Sequence, residues 1–294
     1  MRGIVVAGGG PSRLWPATAA LAGPLLPVYD KPLIYYPLSA LLLAGIRRVL
    51  VVAAPRDAPY FQQLLGGGEQ WGMSLSYAIA ALDGVAQALV VGAEFTGRRP
   101  VALALGDRIC YGRGWPARLK KAAEMKTGAR ILACRVDPVQ RRQAPGDAAA
   151  PATRPGEEPA DLAPGCADAG LYFYDSTVAE RARALPPSAR NRPDLAGLNR
   201  TYLSEGKLRV EVLSRAVKCL RITGPDSLLA AARSVKTAQQ RQAARIGCPE
   251  ESAWRMNFIG DEQLLELAAA AGQTPYARYL QQLPARRDRE QGRS

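Results

Sequence analysis

Ile4 to Ala7 form a short apolar run, mostly β-branched, that passes directly into Gly8-Gly9-Gly10. A strand that empties into a glycine-rich turn is the usual opening of an α/β domain that binds phosphates, because glycine lets backbone amides approach an anion closely. The chain keeps that rhythm. Leu38 to Ala44 suits a buried helix, Val49 to Ala54 a strand covered on both faces, and Val101 to Leu105 another buried strand ending in Gly106-Asp107. Strands alternating with helical stretches predict a doubly wound, mainly parallel α/β sheet. Ligands gather beyond the carboxyl ends of such strands, where the glycine loop and Asp107 both fall.

Residues 139–167 lack any helical or strand period and, rich in Ala, Pro, Gly and Arg, read as an irregular loop. Order resumes with a strand over Leu171 to Asp175, a helix from Ser176 to Ala184, and a half-exposed strand over Leu208 to Leu213. Asp226 to Ala244 reads as a helix with Asp226 as its N-cap. Glu250 to Leu283 is helical, with Trp254 and Phe258 as packing residues. The expected organisation is an α/β domain over 1–245, a C-terminal helical segment over 246–284 and a basic tail over 285–294.

The chain of 294 residues contains no histidine, which excludes Ser-His-Asp and Cys-His centres, histidine metal ligands and an imidazole proton shuttle. Five cysteines, an odd number without a C-x-x-C pair, predict a reduced, cytoplasmic protein without a structural zinc site. No apolar run reaches the roughly 18 residues that a membrane helix needs, and the early glycines leave no room for a signal-peptide apolar region. Net charge is +13, and of the 39 basic residues only seven are lysine. They are scattered rather than striped with aromatics, so solvated faces or attraction of phosphorylated ligands explain them better than nucleic acid does.

A series of segments gives the chain a family. Gly3-Ile-Val-Val-Ala-Gly-Gly-Gly-Pro-Ser-Arg-Leu-Trp-Pro16, Leu25-Leu-Pro-Val-Tyr-Asp-Lys-Pro-Leu-Ile-Tyr-Tyr-Pro-Leu38, Asp83-Gly-Val-Ala-Gln-Ala88, Leu105-Gly-Asp107, Gly170-Leu-Tyr-Phe-Tyr-Asp175 and Glu250-Glu-Ser-Ala-Trp-Arg255 occur in one order along nearly the whole length. In these the sequence resembles bacterial glucose-1-phosphate thymidylyltransferases, within the sugar-1-phosphate nucleotidyltransferases. The resemblance implies a Rossmann-like nucleotidyltransferase fold and transfer of a nucleotidyl group from a triphosphate to a sugar 1-phosphate, with release of pyrophosphate and help from Mg2+. It places Gly8, Gly9, Gly10, Gly84 and Gln87 at the nucleotide, Arg13 at the triphosphate, Asp107 at the magnesium ion, and Glu157 and Tyr172 at the sugar. It also implies a homo-oligomer, dimer or tetramer, whose C-terminal segment packs subunits together and frames an effector site.

The departures concentrate on charge. Gly23 stands where the family has the lysine that meets the phosphates, Glu158 replaces the lysine that grips the sugar phosphate, and Arg221 replaces the second magnesium carboxylate. Pro11-Ser12 replaces Gly-Thr in the loop, Ile79-Ala80 replaces a Glu-Gln pair, Arg108 an asparagine, and Arg141-Arg142 an aromatic-glycine pair. Three readings follow. In the first, the family reaction is lost and a non-catalytic or repurposed subunit binds a nucleotide or sugar phosphate, or partners an active paralogue or pathway enzyme. In the second, an active nucleotidyltransferase has shifted specificity. In the third, the scaffold binds nucleic acid or an acidic protein, which steep salt dependence would reveal.

Overall fold

The computed structural model describes residues 1–8, 13–81, 84–135, 165–185, 194–242 and 244–291. Its strands are Arg2–Val6 (β1), Pro27–Val28 (β2), Lys31–Pro32 (β3), Arg48–Ala53 (β4), Ser74–Ile79 (β5), Val101–Leu105 (β6), Arg108–Gly112 (β7), Ala129–Arg135 (β8), Cys166–Tyr174 (β9), Leu208–Val212 (β10) and Val217–Arg221 (β11). Seven form one sheet in the order β10-β8-β9-β6-β1-β4-β5. All its pairings are parallel except those of β9, which runs antiparallel between β6 and β8. The expected doubly wound, mainly parallel sheet is therefore present.

Alternation along the strands explains why they read as continuous apolar runs. Val49 and Val51 of β4 point to one face of the sheet, Leu50 and Val52 to the other, and both faces are covered. One face packs against helices Tyr35–Leu43 (α1), Ala58–Leu65 (α2) and Trp115–Ala123 (α5), with Leu38, Leu41, Phe61 and Leu119 fully buried. The other face meets Gln87–Val91 (α3), Val178–Ala184 (α6) and Leu195–Ser204 (α7) through Leu89, Val178, Leu198 and Tyr202. A short helix over Ala93–Thr96 (α4) follows α3.

A smaller layer stands beside the sheet. There β7 pairs antiparallel with β11, β2 pairs with β3, and helix Pro225–Gln242 (α8) covers them around Val28, Ile109, Leu220 and Val235. The C-terminal helices Pro249–Arg255 (α9), Asp261–Ala270 (α10), Pro275–Gln281 (α11) and Leu283–Gln291 (α12) follow. Trp254, Leu264 and Leu280 join the core around α1, and the Trp254 indole donates to Asp261 Oδ1 at 2.6 Å. Phe258 is only half-buried, with the Arg47 guanidinium 5.0 Å from its ring centre.

Two expectations are corrected. Cys166 and Ala167, assigned to the irregular loop, open β9; most of that loop lies outside the described residues. Asp226 is not the N-cap, because α8 begins at Pro225 and the Ser227 hydroxyl instead accepts from the Thr223 and Gly224 amides at 2.8 and 2.9 Å. All five cysteines are free thiols. No helix among the described residues is long and apolar enough to cross a membrane.

Candidate active site

The parallel order brings the ends of β1 and β6 together. The Gly106 amide donates to Val6 O at 3.0 Å, and a Cβ on Gly106 would lie 2.6 Å from that carbonyl, so only glycine permits this approach. The same hypothetical Cβ would lie 2.9 Å from Pro24 Cγ, which brings the Gly23-Pro24 turn to Gly106. Gly8 sits beside Ala54 at the end of β4, and Arg13 is exposed a few residues further on. Gly84 accepts from the amide of Gln87, the first residue of α3, at 3.2 Å. Gly9, Gly10, Glu157 and the substituted Pro11, Ser12, Arg141, Arg142 and Glu158 lie outside the described residues.

Asp107 follows β6 directly, and its backbone carbonyl accepts from the Ile222 amide at 3.0 Å, just after β11. Its side chain is 40% exposed, yet one carboxylate oxygen, Oδ2, lies 2.6 Å from Nη1 of Arg108. Arg108 is only 5% exposed and reaches a second carboxylate, with Nη2 at 3.5 Å from Asp168 Oδ2. Arg221 faces Arg108 across the β7–β11 pair as its direct register partner. Two guanidiniums and two carboxylates therefore meet at one corner, of which Arg108 and Asp168 are buried and Asp107 and Arg221 partly exposed.

Asp168 owes its position to an irregularity in β9. Ile131 of β8 pairs with Tyr172 and Ala133 with Asp168, so two steps on β8 cover four on β9. Bulges of this kind re-aim side chains near functional sites. Gly170, inside the bulge, adopts a φ of 73°, and a Cβ there would lie 2.1 Å from Arg108 Cγ. The bulge thus clears a path for the arginine, and the Gly170 amide donates to Asp168 Oδ1 at 2.9 Å. Burial pushes the Asp168 carboxyl up, but the charge of Arg108, the Tyr172 hydroxyl and the charge of Arg221 more than offset this and hold it below the ordinary range. Burial likewise works against the charged form of Arg108, and Asp107 and Asp168 overcome it. Tyr172 is fully buried beneath this corner, stacked on Tyr174 at 6.3 Å between ring centres.

The residues can be tested against the magnesium ion that the resemblance implies. Magnesium takes near-octahedral oxygen ligands, usually one or two carboxylates plus waters and substrate phosphates. Asp107 offers an oxygen already engaged by Arg108; its other oxygen is buried and has no hydrogen-bond partner among the described residues. The second position carries a cation, Arg221, and arginine has no lone pair to give a metal. At an effective dielectric of about 20, a divalent ion ~4 Å from one guanidinium is opposed by about 8 kcal/mol. No group of three or more His, Cys, Asp or Glu among the described residues could hold a metal ion. The corner does not fit a magnesium ion.

The sequence offers Asp168, like Glu158 and Cys166, only as a conceivable reactive residue, since it stands among small residues and no constellation of partners supports it. The available signal was indirect: Arg108 and Arg221 are two gained cations on paired strands, and a buried cation requires a counter-ion. A separate cavity of about 180 Å³ lies between α1, β7, α5 and α9, lined in part by Tyr36, Cys110, Trp115, Arg245, Glu251 and Arg255.

Comparison with known proteins agrees with the fold and the motifs. A family model described as nucleotidyl transferase matches residues 2–254. The chain is 44% identical over 284 residues to a glucose-1-phosphate thymidylyltransferase of Mycolicibacterium smegmatis, covering 96% of this chain and 99% of that one. It is also 44% identical over 285 residues to one of Neisseria meningitidis, with the same coverage. Among solved structures, a Bacillus anthracis protein assigned as a glucose-1-phosphate thymidylyltransferase, in complex with sucrose, aligns with a TM-score of 0.66 and 28% identity, covering 80% of this chain and 94% of that one. A UDP-glucose pyrophosphorylase complexed with UDP-glucose aligns at a TM-score of 0.64 but 16% identity, covering 81% and 99%, which speaks for the fold alone. With its glycine turn, its strand order and these full-length likenesses, the chain belongs to the nucleotidyl transferase family.

Proposed function

We propose that this chain serves sugar-1-phosphate nucleotidyl transfer, receiving a nucleoside triphosphate and a sugar 1-phosphate beyond the carboxyl ends of β1, β4 and β6. The observation that carries this is the identity of 44% along nearly the full length of glucose-1-phosphate thymidylyltransferases. Gly8 to Gly10 and Arg13 would take the triphosphate, Gly84 and Gln87 would lie beside the base, and Glu157 would hold sugar hydroxyls. A pyrophosphate-release assay with dTTP, UTP or ATP and glucose 1-phosphate tests it. Turnover that Asp107→Ala abolishes supports the proposal.

A second reading, binding without transfer, is favoured by the ion pair that engages Asp107. Losing one preorganised charge contact at a developing anion commonly costs about 10²–10³ in rate, although residues acting as a unit do not add. Gly23, Glu158 and Arg221 are three such changes. On this reading, calorimetry detects the ligands while no sugar nucleotide forms, and the chain is a sensor or a partner subunit. We also propose a dimer or tetramer built through the C-terminal helices, with the cavity beside α9 as its effector site. Light scattering that finds only monomer removes the oligomer.

A further inference from the structure

We infer that this centre works without a resident divalent cation, because Arg108, tied down by Asp107 and Asp168, and its cross-strand neighbour Arg221 occupy its electrostatic place. The two arginines are direct partners across β7 and β11, and the strand register fixes them side by side. Asp107 is held from two directions, through its Oδ2 by Arg108 at 2.6 Å and through its backbone carbonyl by the Ile222 amide at 3.0 Å. Asp168, almost wholly buried, has Arg108 at 3.5 Å and the Gly170 amide at 2.9 Å. Asp107 and Asp168 close on Arg108 with Arg221 beside it on the paired strand, so a metal ion would have to break the partly buried Arg108–Asp107 pair and then stand beside fixed positive charge.

The substitutions make sense together in this arrangement. Arg108 needs a glycine at 170 to pass and a carboxylate at 168 to neutralise it, and both are present. A guanidinium is permanently charged and offers a planar fork that matches phosphate oxygens, which a point cation does not. Arg221 is half-buried, so it keeps accessible surface beside the carboxyl end of β6, while Arg108 and Asp168 act as positioning residues behind it. Phosphate ligands would then be bound by arginine directly. This last step rests on the proposed ligands; the exclusion of the metal does not.

Manganese, a paramagnetic substitute for magnesium, gives a test on the ligand-free protein. In a titration followed by electron paramagnetic resonance, the wild-type chain is expected to leave the free-manganese signal undiminished. Uptake of one manganese per chain that Asp107→Asn abolishes would overturn the inference. The double variant R108N/R221D is expected to gain one manganese site, again dependent on Asp107. A folded double variant that gains none would show that the arginines are not what keeps the metal out. If that variant does not fold, as judged by circular dichroism, the wild-type titration decides alone. Calorimetry with glucose 1-phosphate supplies the second arm. Affinity within about threefold with EDTA or with magnesium supports the inference, whereas a tenfold or greater gain with magnesium, about 1.4 kcal/mol, opposes it. Failure of the sugar phosphate to bind in either condition removes the ligand proposal and leaves the manganese result standing.

Discussion

Strand β9 has a buried carboxylate near each end, and the two are held by different physics. Asp175, just past the last residue of the strand, accepts from the Gly128 amide at 2.7 Å, the Thr177 amide at 3.0 Å, the Thr177 hydroxyl at 2.6 Å and the Tyr202 hydroxyl at 2.9 Å. All four donors are neutral, and they tie the end of β9 to the turn before β8 and to α7. Asp168, inside the bulge at the other end, is held by one backbone amide, the Tyr172 hydroxyl and the Arg108 guanidinium, with the charge of Arg221 nearby. Burial raises both carboxyls and their partners more than reverse it, so both lie below the ordinary value. Equal direction of shift hides unequal roles. The neutral ring of donors ties secondary-structure elements together, whereas the charged ring gathers charge beside the carboxyl end of β6.

The largest effect is expected at Asp168. Removing Asp168 leaves the buried Arg108 with only the 40% exposed Asp107 as counter-ion, so Asp168→Ala is expected to cost about 3 kcal/mol in denaturant unfolding, the low end for breaking a buried pair. Replacing both partners as Arg108→Met with Asp168→Leu removes the half-neutralised buried charge and is expected to recover most of that loss, because a buried ion pair exchanged for apolar groups is often nearly neutral. If the double substitution is as damaging as the single one, the contrast with Asp175 collapses, since charge pairing would then not be what holds this end.

Asp175→Ala comes next, at about 2–3 kcal/mol, because it leaves several buried donors without an acceptor. No single second substitution repairs it. The pH dependence sharpens the point. A carboxyl with a depressed folded pKa contributes stability above its unfolded value of about 3.9, and that contribution disappears as pH falls through the lower folded value. Thermal melts from neutral pH into the acid range are therefore expected to fall less steeply for Asp175→Asn than for wild type. Parallel curves would mean that Asp175 does not contribute to acid unfolding.

The same contrast explains what could be read from the sequence. Strands β1, β4 and β6 and helix α1 were legible because each is an apolar run bounded by glycine or charge, and both sheet faces demand such runs. Asp107 was legible because it ends a buried strand inside a recognisable motif. The surroundings of Asp168 were not, since they depend on a bulge that sets four steps of β9 against two of β8, and no local pattern announces that register. The antiparallel course of β9 was hidden for a related reason: strand direction is set by a connection that lacks periodicity. Asp226 looked like a cap because acidic residues often are, but Pro225 had already started the helix and Ser227 supplied the acceptor.

The smallest effect is expected where the charge pairing looks strongest. Glu205 receives Arg181 through both oxygens, at 2.5 and 2.9 Å, and Lys207 at 2.9 Å. These hydrogen bonds, from Arg181 first and then Lys207, pull its carboxyl down to about 2. Yet water reaches this carboxylate, so solvent screens the attraction and holding the long side chains still costs entropy. Glu205→Gln is therefore expected to lower the melting temperature less than Asp175→Asn does. The difference should fade near 1 M salt, where the screening length is about 3 Å. A loss as large as that of Asp175→Asn, or one that persists at high salt, would show that burial is not what separates a structural carboxylate from a decorative one here. If the loss is small and salt-sensitive, a lowered pKa alone does not measure stability in this molecule, and the distinction between the two ends of β9 rests on which partners are buried with each carboxylate.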